Sequence, residues 1–283
     1  MYSLSVKNDR GEVLDLTQNQ NYTLYKIEGL APPGATVNKS ANTTIDGDTI
    51  NSVRMESRNI VLYINLNREI EKSRIELYKY LPPKREVTIY FKNDTRDVQI
   101  CGVVETIECD LFTKNEIMQI SIVCPKPYFK SADELTTMFC EISPLFEFPF
   151  AIEKEGIPFS ELTPNIRKSI VYTGDAETGI VMELFAASGT VTNPIIYDVL
   201  ERTHIKINMT MQQSDMIIIN TNVGEKSIQL LRNGKKSNAM GFLTPDSQWL
   251  GLQSGENVFT YTCEEGTSNL QITFKTNVLY SGV

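Results

Sequence analysis

Along most of the chain, apolar and polar positions alternate over short stretches, and turn-forming residues interrupt them about every ten positions. Between Ser57 and Leu66, the side chains of Ile60, Leu62, Ile64 and Leu66 fall on one side, which predicts a half-buried strand. Glu86–Phe91 and Arg96–Glu105 read as two strands joined by the turn Lys92-Asn93-Asp94-Thr95. Glu116–Cys124 is another strand, closed by Pro125 and Pro127. One segment departs from the period of two. From Glu69 to Leu81, the positions of Ile70, Leu77, Tyr78 and Leu81 recur at helical spacing, and Pro82-Pro83 stops the helix.

Beyond residue 130 the pattern changes. Ser131-Ala132-Asp133-Glu134 suits the start of a short helix, and Pro144, Pro149 and Pro158 then punctuate the aromatic stretch Leu145-Phe146-Glu147-Phe148-Pro149-Phe150. Such a stretch is too apolar for a free tether and is expected to dock. In the second half, Ile205, Ile207, Met209 and Met211 alternate with polar residues. Met216–Asn220, Lys226–Leu231, Ser247–Gln253, Val258–Cys263 and Leu270–Thr276 are further expected strands, with turns at Asn233-Gly234 and Glu265-Gly266. The pattern predicts a mainly β protein of two domains, 1–140 with one packed helix and 141–283 a β-sandwich.

Composition sharpens this only in places. A chain of 283 residues with 41% hydrophobic and 22% charged residues is long enough to bury a real core. No stretch has the roughly 18 apolar residues of a membrane span, and Met1–Lys7 lacks the basic start and apolar run of a secretory signal. Synthesis in a cytoplasm is the expectation. The formal net charge is −8, concentrated after residue 140, which argues against nucleic acid as partner. Five cysteines without a C-x-x-C pair point to reduced, mostly buried thiols.

Reactive chemistry finds little support. The one histidine, His204, has no second histidine for a shared metal, and neither a G-x-S-x-G elbow nor a glycine-rich phosphate loop occurs. Asp46-Gly47-Asp48 places its glycine too early for a calcium loop and reads as a tight turn. No catalytic residue, metal ligand or cofactor is therefore assigned, and the chain is expected not to be an enzyme.

Two polar features remain. Arg54, Glu56 and Arg58 alternate on one face, either as plain solvent exposure or as the charged part of a subunit contact. Residues 29–55, with Pro32-Pro33-Gly34, form an irregular span with few core-type residues that suits an extended arm. Trp249 is either a core aromatic or an exposed sugar platform. Arg202, His204 and Trp249 converge only if their strands are neighbours.

Several segments together resemble a known family. They are Gly29–Asn38, Asp46–Ser52, Arg58–Leu62, Leu77–Tyr80, Cys124–Phe129, Pro144–Phe150, Gly174–Gly179, Asn193–Tyr197 and Leu279–Val283. In this order they resemble the distal tail proteins of siphophages that infect Gram-positive bacteria. The resemblance implies a belt-type first domain closing into a hexameric ring and a galectin-like second domain outside it. It implies as partners further copies of the chain, the major tail tube protein, a tail-associated fibre or lysin protein and receptor-binding proteins, at the tip of a virion tail. Pro32, Pro33, Arg54, Glu56 and Arg58 are then the candidate subunit contacts. Trp249, His204 and Arg202 are the candidate sugar contacts of an alternative adhesion role.

Overall fold

A computed structural model of the chain describes residues 2–42, 46–111, 116–144, 160–164 and 167–283. The aromatic stretch Leu145–Phe150 lies outside the described residues. The protein is mainly β, and it forms two units, Met1–Asp133 with Leu279–Val283, and Glu134–Val278.

In the first unit the strands are β1 (Ser3–Asn8), β2 (Val13–Asp15), β3 (Tyr22–Glu28), β4 (Ala35–Ala41), β5 (Asp48–Met55) and β6 (Arg58–Leu66). Helix α1 (Ile70–Tyr80) follows, then β7 (Glu86–Lys92), β8 (Asp97–Cys109), β9 (Ile117–Cys124) and the start of β10 (Phe129–Met138). Seven strands pair antiparallel in the order β2-β1-β7-β8-β9-β6-β3. The long β8 carries β7 along residues 97–103 and β9 along 103–109. A register shift between Val104 and Thr106 marks a bulge at which the inward-facing positions change from even to odd numbers. The alternation expected of β6 is realised: Ile60, Leu62 and Ile64 are fully buried. They share one core with Leu4, Val6, Ile89, Ile100, Ile120 and Phe129.

Helix α1 stands where the spacing places it, with Leu77 and Leu81 turned inward as expected and Ile70 not. Ser73, Leu77 and Leu81 are buried, whereas Ile70 is 39% exposed. The i, i+4, i+8 stripe runs through a serine whose hydroxyl donates to Arg68 O at 2.8 Å, which satisfies the polar group inside. Residues 131–134 are not helical. They continue β10, because Lys130 and Ser131 pair with Gln99 and Val98 of β8. Cys101 is exposed, against the expectation of burial, because it sits on the outward side of β8; Cys124 is buried.

The second unit continues β10 and contains β11 (Cys140–Pro144), β12 (Ser160–Pro164), β13 (Arg167–Tyr172), β14 (Thr178–Gly179), β15 (Val181–Ala186), β16 (Val191–Thr192), β17 (Ile195–Asp198) and β18 (Thr203–Lys206). After them come β19 (Thr210–Met211), β20 (Met216–Asn220), β21 (Ser227–Arg232), β22 (Lys235–Asn238), β23 (Gly251–Leu252), β24 (Gly255–Thr262) and β25 (Leu270–Tyr280). One ladder runs β25-β15-β20-β21-β22, the other β13-β24-β17-β18. Their inner faces meet in a core where Phe274 packs at 4.7 Å from Phe139 and 5.1 Å from Phe259 between ring centres. Only Gly251–Leu252 of the strand expected over Ser247–Gln253 is extended. Its first residues instead close a turn, with Ser247 N donating to Thr244 O at 3.1 Å.

Candidate interaction surfaces

Residues 29–55 are more regular than their composition suggests. β4 and β5 pair only with each other, as a hairpin arm outside the main ladder. The cross-strand pairs Thr36–Arg54 and Asn38–Ser52 put polar groups on one face, where Asn38 Nδ2 donates to Ser52 Oγ at 2.9 Å. The pairs Ala35–Met55, Val37–Val53 and Lys39–Ile50 fall on the other face. There Val37 is 46%, Ile50 63% and Val53 61% exposed. Lys39 closes the far end of this apolar stripe through an ion pair with Asp48 at 2.5 Å. An isolated two-stranded hairpin is marginal in water. This one also leaves its apolar face wet.

The candidate contacts on this span divide. Pro32 is exposed and Pro33 half-buried at the root of the arm. Arg54 and Glu56 are exposed on its polar side, and Glu56 Oε1 accepts a hydrogen bond from Thr36 Oγ1 at 2.8 Å. Arg58 departs from the expected alternating face. The chain leaves the arm after Met55 and enters β6 at Arg58, so the period is broken and the side chain turns inward, only 2% exposed.

Once buried, the Arg58 guanidinium spends its donors on main-chain carbonyls. Nε reaches Pro127 O at 2.8 Å, Nη1 reaches Ala31 O at 2.7 Å and Gly29 O, and Nη2 reaches Ser281 O at 2.5 Å. Its plane lies 4.4 Å from the centre of the Phe129 ring. No carboxylate pairs with it among the described residues, and burial lowers its pKa. Gly29 beside it has φ +87°, and a Cβ there would sit 2.0 Å from Asn59 O, so the bend demands glycine.

In the second unit, the segment 244–249 runs beside β18: Gln248 N donates to His204 O at 2.8 Å. The segments carrying His204 and Trp249 are therefore neighbours, yet the two side chains do different things. His204 Nε2 faces Asp246 Oδ2 at 3.2 Å, and its ring lies 5.7 Å from that of Tyr197. Arg202 occupies a turn at φ 56°. Trp249, half-buried, lines a cavity of about 280 Å³ without either of them. The cavity takes Glu177, Asp198, Glu201 and Thr203 from loops and strand ends, and Lys226 Nζ stands 5.3 Å from the indole centre. The carboxylates were missed in the sequence because loops far apart in the chain bring them together. Asp198 is structural, accepting the N–H groups of Leu200 and Glu201 at 3.0 Å each.

Comparison with known proteins places this architecture. Residues 173–277 match the family described as "Siphovirus-type tail component, C-terminal domain". No curated protein matches the chain. Among solved structures, the Dit (gp 19.1) protein of phage SPP1, described as a paradigm of the hub adsorption apparatus in phages infecting Gram-positive bacteria, superposes with a TM-score of 0.69. Identity is 14%, over 97% of this chain and 98% of that one. A chain of the phage P2 baseplate in its activated conformation with Ca gives a TM-score of 0.51 at 13% identity, over 97% and 98% of the two chains. The Sr form of that baseplate gives 0.53 at 12%, over 98% of each. Residues 173–277 thus resemble the C-terminal domain of siphovirus-type tail components, and over nearly its whole length the chain shares the fold of the SPP1 Dit protein.

Proposed function

We propose that the chain is a non-enzymatic ring component of a virion tail tip, joining the tail tube to the adhesion apparatus. Six copies close through a head-to-tail contact, with each arm laid on its neighbour. The observation that supports this reading is the arm itself: an amphipathic hairpin whose apolar face, Val37, Ile50 and Val53, has no cover among the described residues. A folded monomer gains nothing from such a face, whereas a ring buries every copy of it. Pro32, Pro33, Arg54 and Glu56 border this contact; Arg58 acts from inside.

On this reading residues 1–140 build the ring. The galectin-like domain over 141–283, apart from residues 279–283, which belong to the first unit, faces outward, and its larger share of the negative charge keeps that surface solvated. One ring face receives the major tail tube protein and the other the tail-associated fibre or lysin protein, with receptor-binding proteins carried outside. The chain is made and assembled in the bacterial host's cytoplasm.

Mass measured by light scattering tests the ring. The expectation is about six times the 32.0 kDa of one chain, and Val53→Glu should reduce it to that of the monomer while the circular dichroism spectrum stays β-type. A Val53→Glu protein that keeps the hexamer mass would remove the arm from the interface.

The Trp249 cavity favours a second reading, adhesion through carbohydrate. A half-exposed indole beside carboxylate acceptors suits a neutral sugar ring, whose apolar face stacks while its hydroxyls donate. Binding on a glycan array that disappears in Trp249→Ala would establish it; an array without hits would leave the second unit a scaffold.

A further inference from the structure

The first unit ends in a segment that grips the root of the arm. Residues 279–283 belong to this unit. Ser281 gives its carbonyl to Arg58, Gly282 gives its carbonyl to Arg96, and Val283 N donates to Leu30 O at 3.2 Å. The Tyr280 ring stacks under the Arg96 guanidinium at 4.3 Å. Gly282 lies so close to the root that a Cβ on it would stand 2.9 Å from Pro32 Cδ. Through Arg58, three pieces of chain distant in sequence meet on one side chain: Gly29 and Ala31 at the root, Pro127 after β9, and Ser281.

This arrangement has one mechanical result. β4 starts only four residues after Ala31, and β5 returns to β6 at Arg58. Beyond its own two strands, the arm keeps its direction through the hold on 29–34 and through Glu56 N, which donates to Gly34 O at 3.0 Å. A buried guanidinium that meets no carboxylate among the described residues is costly, and here its donors order carbonyls. Arg58 presents its donors in a fixed plane, so it holds the root and the terminal segment in one relative geometry.

We infer that residues 280–283 are a clasp that sets the pose of the arm, with Arg58 as the positioning residue. The clasp fixes the direction in which the apolar stripe is presented to the next copy. Its consequence for assembly rests on the reading of the arm as the ring contact; the clasp itself does not.

Hydrogen exchange on a chain lacking residues 281–283 tests the clasp, made in the Val53→Glu background so that ring formation is not a variable. Exchange across residues 28–41 should rise about tenfold or more, because the root loses its main-chain and guanidinium bonds, while β6 and β9 keep their protection. Gly282→Val, which leaves every carbonyl in place but pushes on Pro32, should raise exchange at the same residues. Unchanged exchange over 28–41 in both variants overturns the inference. So does an equal rise through β6 and β9, which would make the segment a general part of the core. The same truncation with Val53 restored separates the two readings. A local rise in exchange with the ring mass intact keeps the clasp and removes the arm from the ring; a local rise with the ring lost supports both.

Discussion

Single residues carry the largest departures from pattern, and two charged groups show why. Arg58 and Asp215 look like ordinary surface residues in the sequence, yet both are buried. Asp215 accepts Arg232 Nε at 3.0 Å on each oxygen, Arg232 Nη2 at 2.5 Å and Gln212 N at 2.7 Å. Burial pushes its carboxyl pKa up, but these donors outweigh burial and hold it below the usual 3.8. A carboxyl depressed in the folded state adds stability above its unfolded pKa and loses it as pH falls through the folded one. Asp215→Asn should therefore cost about 1–3 kcal/mol in urea unfolding at pH 7, and the difference from the parent should shrink below about pH 3.8. A difference of equal size at pH 7 and pH 2.5 would show that the charge is not its source. Neither burial was legible in the sequence, because a guanidinium or carboxylate turns inward only when distant carbonyls or donors meet it, and the alternation of neighbours carries no trace of that meeting.

Elements were read more reliably than residues. β6, β7 and β20 follow from the two-residue period because one face of each is buried and the other more exposed, so their register is over-determined. The strands of the arm, read as an irregular span, escaped notice for the opposite reason. Both of its faces are exposed, its apolar side holds only three large aliphatic residues, and a bulge between Asn38 and Lys39 shifts the alternation. Helix α1 lies between these cases: its existence and the burial of Leu77 and Leu81 were plain, but Ser73, a polar residue, completes the buried stripe in place of Ile70. Leu77→Ala should cost about 2–5 kcal/mol, since its fully buried side chain leaves a cavity, whereas Ile75→Ala, at a position 41% exposed, should stay within about 0.5 kcal/mol. Thermal melts of the two variants decide it; equal losses would move the buried face to Ile75. Of the candidate sugar site, only Trp249 was recoverable, because its companions come from loops whose approach the ladders determine.

At the scale of the whole molecule, the two units hold separate apolar cores, the first around β6 and β9 and the second around Phe139, Phe259 and Phe274. The family match falls inside the second unit, and the fold likeness runs through both. On the proposed function, the first unit must also bear load. β8 bonds to β7 along its first half and to β9 along its second, and between them runs continuous backbone, not a loop. Force applied to one half of the ladder reaches the other through covalent bonds as well as hydrogen bonds. Shearing the halves past each other means stripping a 13-residue strand from both neighbours together. In this first unit β8 serves as a tie rod, and its stiffness comes from chain connectivity as much as from packing.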